Sequence, residues 1–264
     1  MIEIKNEKEI KLMAEGGRIL SRILVQLRKK AQVRVTTRDL DREAEELILA
    51  AGGKPSFKMV PNYKFATCMC VNEVVVHGLP ADYKLREDDI LGIDVGIFYK
   101  GLHTDMAWTV IIGNQEPVYS PRFGEAGRQA GQGKRRFLET GKKALKKAIS
   151  AAREGNHVGD ISRAIQETIE GAGFSVVRNL VGHGVGKKLH EDPQIPGFAS
   201  RLKEKTPPLK RGMTLAIEVI YNWGEAEVVF QKDGWTVATK DGQISGLFEK
   251  TVAVTDKEPI VLTA

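Results

Sequence analysis

The sequence predicts an α+β protein with an internal pseudo-twofold. Three observations carry this reading. Helices precede strands and the same order then recurs; two helices align with each other at an offset of 121 residues; and each copy runs on into strand-like sequence containing His followed by Gly. Residues 7 to 30 place Ile10, Met13, Ile19, Leu20, Ile23, Leu24 and Leu27 at helical spacing with charges between them. Thr37-Arg-Asp-Leu starts a second helix with a capping residue, and Gly52-Gly53 stops it. Ile90–Phe98 and Leu102–Ile112 read as a hairpin. Residues 137 to 153 form the third helix, Gly159-Asp160 opens a fourth, and Gly171-Ala-Gly173 closes it. The offset lays Asp39 on Asp160, Leu40 on Ile161, Glu46 on Glu167 and Ile48 on Ile169, and the two His-Gly pairs are His77-Gly78 and His183-Gly184. A site built from both halves is expected at the interface between them.

At 264 residues, with 42% hydrophobic and 28% charged residues, the chain is predicted to be one large soluble domain of two fused halves, about 1–113 and 135–264. The stretch 114–133, rich in Gly, Gln and Arg, reads as a mobile loop between them. Cys68 and Cys70 suit neither a disulfide framework nor a zinc ribbon, so a reducing cytoplasm is the expected setting. The N-terminal residues lack a signal-peptide core, and no run is long enough to span a bilayer.

Four carboxylates lie in runs that otherwise read as buried strand: Asp94, Asp105, Glu218 in Met213–Tyr221, and Glu249 in Leu247–Val254. His183 sits in the glycine-bracketed Gly182-His-Gly-Val-Gly186. Taking an ionised carboxylate out of water costs several kcal/mol, so four of them call for nearby cations, and a pair of divalent metals is the economical answer. With Tyr99-Lys100 as the hairpin loop, Phe98 pairs with Gly101 and Asp94 falls opposite Asp105 on one face.

The segments that carry a resemblance are Asn72-Glu-Val-Val-Val-His-Gly-Leu-Pro80, Asp94 with Asp105, Gly182-His-Gly-Val-Gly-Lys-Lys-Leu-His-Glu-Asp-Pro193, Ala216-Ile-Glu218 and Phe248-Glu-Lys-Thr251. On these the chain resembles the type I methionine aminopeptidases of the pita-bread metallopeptidase fold, over almost its whole length. The resemblance implies a pseudo-twofold antiparallel sheet with helices packed on one face. It implies a dinuclear exopeptidase that removes initiator methionine before a small second residue, using a water or hydroxide held by the two metals. Asp94 is then a ligand of one metal, Asp105 and Glu249 bridge both, and His183 and Glu218 complete the other. One imidazole among oxygens suits manganese, iron, cobalt or zinc. His77 and His190 face the substrate, and Glu218 also shuttles the proton. Tyr63, Cys68, His77, Leu189 and Trp235 wall the methionine pocket.

His103, on the same strand face as Asp105, is expected beside the metal ligands. His157 reads as a loop residue before a helix. Three positions depart from the usual family pattern: Val219 stands where Pro is common after the glutamate, Gly96 replaces a frequent Thr, and Leu189 replaces an aromatic. From Arg128 to Arg153 nine Lys or Arg face one Glu; a solvated face is the ordinary reading, and contact with ribosomal RNA is the alternative for an enzyme working on the N-termini of nascent chains. Peptidases of the same fold that cleave before proline normally carry an added N-terminal domain, and His77 comes too early to leave room for one. A non-catalytic binding paralogue would have lost ligands. Nothing demands more than a monomer.

Overall fold

The computed structural model describes residues 2–113, 125–199 and 202–264. In chain order its elements are α1 (Glu7–Lys30), α2 (Thr37–Ala50), β1 (Lys54–Pro55), β2 (Thr67–Val71), β3 (Val74–Val76), β4 (Ile90–Tyr99), β5 (Leu102–Ile111), α3 (Glu125–Ala151), α4 (Val158–Glu170), β6 (Ser175–Val176), β7 (Val181–Gly184), β8 (Glu191–Pro196), β9 (Thr214–Asn222), β10 (Val228–Phe230), β11 (Val237–Thr239), β12 (Ser245–Ala253) and β13 (Ile260–Val261). One large antiparallel sheet runs β1-β4-β5-β12-β9-β7-β8, and β10, β11 and β3 form a small second sheet.

Strand alternation divides the labour of the large sheet. In β4 the side chains of Leu91, Ile93, Val95 and Ile97 pack on Leu20, Leu24, Leu27, Leu40 and Ile48 of α1 and α2. In β9 and β12 the side chains of Ile217, Val219, Tyr221, Phe248 and Val252 pack on Phe137, Leu145, Ile161 and Ile165 of α3 and α4. All four helices therefore cover one face, as the resemblance implies, and each helix pair has its own core. The residues between, Asp94, Asp105, Glu218 and Glu249, point to the opposite face.

Helix ends follow local chemistry. Asn6 caps α1 by accepting the Glu9 amide at 3.0 Å, while Glu9 accepts the Asn6 amide at 2.9 Å. The cap of α2 is Thr36, one residue before the expected Thr37, and it accepts the Asp39 amide at 3.1 Å. His157 occupies the corresponding place before α4, where its amide donates to Asp160. The starts of α2 and α4, Thr37 and Val158, are 121 positions apart, the offset at which their sequences align.

Two expectations need correction. First, α3 begins at Glu125 rather than 137, so the last residues of the expected 114–133 loop are helical, and 114–124 lie outside the described residues. Glycines made this stretch read as loop. Tertiary packing overrides their low helix propensity, because the Trp223 ring sits against Gly133 where a Cβ would come within 2.8 Å of it. Second, the hairpin turn is Lys100-Gly101, with φ of 48° and 89°. Two positive φ values define the turn that matches strand twist, and glycine accepts the second without strain. Tyr99 then pairs with Leu102, Asp94 with Ala107 and Asp105 with Gly96. The shift is by two residues, so both aspartates keep their common face and are diagonal neighbours rather than opposed.

Candidate metal centre and substrate pocket

Five adjacent strands, in the order β4-β5-β12-β9-β7, each deliver one ligand-type side chain: Asp94, Asp105, Glu249, Glu218 and His183. Glu249 pairs directly with Glu218, and His183 with Ala216 two positions along β9. Ligand atoms of Asp105, His183 and Glu249 lie within 4.8 Å of one another. Glu218 Oε1 is 3.5 Å from His183 Nε2, and Asp94 lines the same cavity.

The electrostatics of these groups argue for a cation. Burial pushes all four acids up, Asp105 to about 7 and Glu218 to about 8, with Asp94 and Glu249 well above their ordinary values; neighbouring carboxylates add to the rise at Asp94, Glu218 and Glu249, whereas at Asp105 the Met106 amide opposes it. Asp94 Oδ1 and Glu249 Oε1 are buried and have no hydrogen-bond partner among the described residues. Lone pairs left in that state are destabilising unless something positive meets them. His183 Nδ1 lies 2.7 Å from the Gly184 carbonyl oxygen, so Nδ1 carries the proton and the Nε2 lone pair faces the carboxylates. Burial holds this imidazole neutral, its pKa lowered to about 4. A neutral nitrogen among carboxylate oxygens fits a divalent transition ion.

The cavity, about 660 Å³ with its open mouth, joins these candidate ligands to an apolar wall. Tyr63, Cys68, His77, Leu189, His190 and Trp235 all line it, so every sequence-predicted pocket residue is brought together. Tyr63 meets the Trp235 ring edge-on at 4.9 Å and donates its hydroxyl to the Thr67 carbonyl at 2.8 Å. Cys68 is the backbone partner of Asp94, and burial beside that carboxylate raises its thiol pKa, so it acts as a small apolar wall. His77 and His190 stand at the solvent-open mouth, and burial of part of each ring lowers both pKa values, so each is neutral at pH 7. His77 holds φ at 55°, a left-handed conformation unusual for a residue with a side chain, and such strain gathers at functional positions. The His190 ring is 4.5 Å from that of His183.

The partners of His103 are Ser56 and Phe98: its Nδ1 is 2.9 Å from Ser56 Oγ, and its ring packs on Phe98. Ser56 comes from the turn after β1, and that turn also carries residues the sequence reading missed. Phe57 and Val60 line the cavity. Gly96 leaves them room: a Cβ there would come 2.9 Å from Ser56 Cβ and 3.1 Å from Phe57 Cε1, so the glycine opposite Asp105 gives the turn its place. Asp41 was missed too. Its Oδ1 accepts from the Ala66 and Thr67 amides and the Thr67 hydroxyl, fixing the start of β2 one residue before Cys68.

Comparison with known proteins agrees with this geometry. The sequence model of metallopeptidase family M24 matches residues 11–256. The chain is 40% identical to a methionine aminopeptidase of Clostridium perfringens, covering 100% of this chain and 99% of the relative, and 39% identical to methionine aminopeptidase 1 of Bacillus subtilis with the same coverage. The crystal structure of a methionine aminopeptidase from Thermotoga maritima superposes with a TM-score of 0.89 at 39% identity, covering 100% of this chain and 99% of that one. A prolidase from Pyrococcus furiosus shares the fold alone, with a TM-score of 0.74 at 22% identity over 99% of this chain and 65% of its own.

Proposed function

The chain belongs to metallopeptidase family M24, and from that premise we propose that it is a methionine aminopeptidase acting on peptide N-termini with a small second residue. The observation that carries this is the single cavity in which an apolar pocket opens directly onto the ligand cluster. In this reading Asp94, Asp105, His183, Glu218 and Glu249 hold two divalent ions, drawn from manganese, iron, cobalt or zinc. When bound, the ions supply Lewis acidity, polarising the scissile carbonyl and making water nucleophilic near neutral pH.

The chain's own residues do the rest. Tyr63, Cys68, Leu189 and Trp235 surround one long unbranched side chain and exclude water from it. The free α-amine meets the carboxylate cluster at the end of the pocket, which restricts cleavage to the first residue. His77 and His190, being neutral, offer N–H groups to the carbonyl oxygen as negative charge develops on it. Glu218, whose affinity for a proton is raised by burial and then by Asp105, carries a proton from water to the departing amine.

The test is hydrolysis of Met-Ala-Ser by chelator-stripped protein before and after adding manganese or cobalt, with a Leu-Pro peptide beside it. Metal-restored release of methionine alone is expected. No release by folded protein with any divalent ion would overturn the assignment. Among the described residues no helix is long and apolar enough to cross a membrane; we place the protein in the cytoplasm as a monomer, where the exposed Lys143, Lys146 and Lys147 of α3 are available to ribosomal RNA. That contact predicts salt-sensitive co-sedimentation with ribosomes, abolished by reversing those three charges.

A further inference from the structure

The segment before α1 reaches across the molecule to the loop that carries His190. The Lys5 amide donates to the Gly212 carbonyl at 2.8 Å, and Lys5 Nζ is ion-paired with Glu191 Oε2. Both side chains are buried, 1% and 7% exposed. The other oxygen of Glu191 accepts the Lys188 amide at 3.0 Å, and the Lys188 carbonyl accepts the Gly186 amide at 3.0 Å. Gly186 lies against Lys5, where a Cβ would come 2.8 Å from Nζ. Leu189 and His190, both lining the pocket, are thus strung between two residues fixed by one carboxylate.

A buried ion pair is a weak source of stability, because desolvating both ions offsets their attraction, and well-packed apolar residues of similar volume often hold a fold as well. What apolar residues lack is direction. Glu191 uses its two oxygens in two different directions, one toward the loop and one toward the segment before α1. The outer pairs of Lys187 with Glu3 and Glu9, at 3.3 and 3.9 Å, share an exposed ammonium that water screens, so they supply little of that constraint.

We infer that Lys5 is a positioning residue, which through Glu191 sets the His190 imidazole beside His183 at the mouth of the pocket. The role of His190 in turnover rests on the aminopeptidase reading; its placement does not. The test uses full-length K5M/E191M, which removes the pair without stranding a charge, together with K5R. The readouts are the histidine Cε1–Hε1 NMR signals of metal-free protein, assigned by single substitution, and kcat and KM on Met-Ala-Ser. In K5M/E191M the His190 signal is expected to move while those of His77 and His157 stay, with thermal stability kept. Turnover falls about tenfold with KM within about twofold, and in an H190A background the same pair of changes costs less than about twofold. K5R keeps the native His190 signal. An unmoved His190 signal in K5M/E191M, or an equal loss of kcat with and without His190, would overturn the inference. If native protein releases no methionine, the function fails, and the NMR signals still decide the role of Lys5.

Discussion

Adding manganese or cobalt to chelator-stripped protein should expel protons, and the number expelled should fall as pH rises. With Asp105 titrating at about 7 and Glu218 at about 8, these two groups hold about two protons at pH 6 and well under one at pH 8, all of which a cation must displace. From these two groups alone, apparent metal affinity climbs with pH near 6 by up to about a hundredfold per unit, and their share of the slope fades only above pH 8. Calorimetry in two buffers of different ionisation enthalpy measures the proton count directly. The sign reverses for metal-free stability. Folded pKa values raised above the unfolded ones mean that the folded state keeps protons the unfolded chain has lost. Their contribution is full below about pH 4 and is lost as pH rises through 7 to 8, on the order of 4 kcal/mol for Asp105 moved from 3.8 to about 7. Saturating metal should erase that slope. Metal uptake with no proton release at pH 6, or metal-free protein equally stable at pH 5 and 8, would refute the mutual burial of these acids.

Asp41→Ala leaves two buried amides and a hydroxyl without their shared acceptor, and should cost about 2–4 kcal/mol in urea unfolding with KM raised through the displaced Cys68 strand. Trp235→Ala removes the ring that meets Tyr63 at 4.9 Å; it should raise KM for methionyl peptides about tenfold and leave metal affinity unchanged, as steady-state kinetics and calorimetry would show.

Where sequence reading succeeded and where it stopped has a physical reason. The first helix was legible over Glu7–Lys30 because its apolar stripe, with charges between, is a local pattern. The four buried acids of the candidate site were legible because carboxylates in apolar strands are anomalies, visible without any partner in view. Phe57, Val60 and Asp41 gave no such signal: an apolar residue after a turn and an acid on a helix look ordinary until the fold shows what they touch. Lys5 meets its partner across 186 positions of sequence, beyond any local pattern. The hairpin register failed on a single dipeptide, Lys100-Gly101, whose left-handed geometry decides which residues oppose one another. An even shift spared the site, since an odd one would have sent one aspartate to the helix face.

The seam between the two helix-backed cores is where metal removal should be felt first. Strands β4 and β5 share ten residue pairs and β9 and β12 share nine, whereas β5 and β12 share one, Phe248 with Trp108. On either side of that pair, threonine hydroxyls replace the backbone ladder. Thr109 Oγ1 donates to the Leu247 carbonyl and accepts its amide, and Thr251 Oγ1 does the same for Asp105. Asp94 and Asp105 lie on one side of this seam and Glu218, Glu249 and His183 on the other, so cations held by both sets would tie the halves together. Without them, repulsion among the carboxylates acts across the weakest strand pairing in the centre of the sheet. Hydrogen exchange after chelation at pH 8 should therefore quicken at the Asp105 and Leu247 amides before it does in α1 or α4. Uniform acceleration, or protection at the seam outlasting that of the helices, would mean that the threonine bridges alone hold the halves and that the carboxylates contribute nothing to their union.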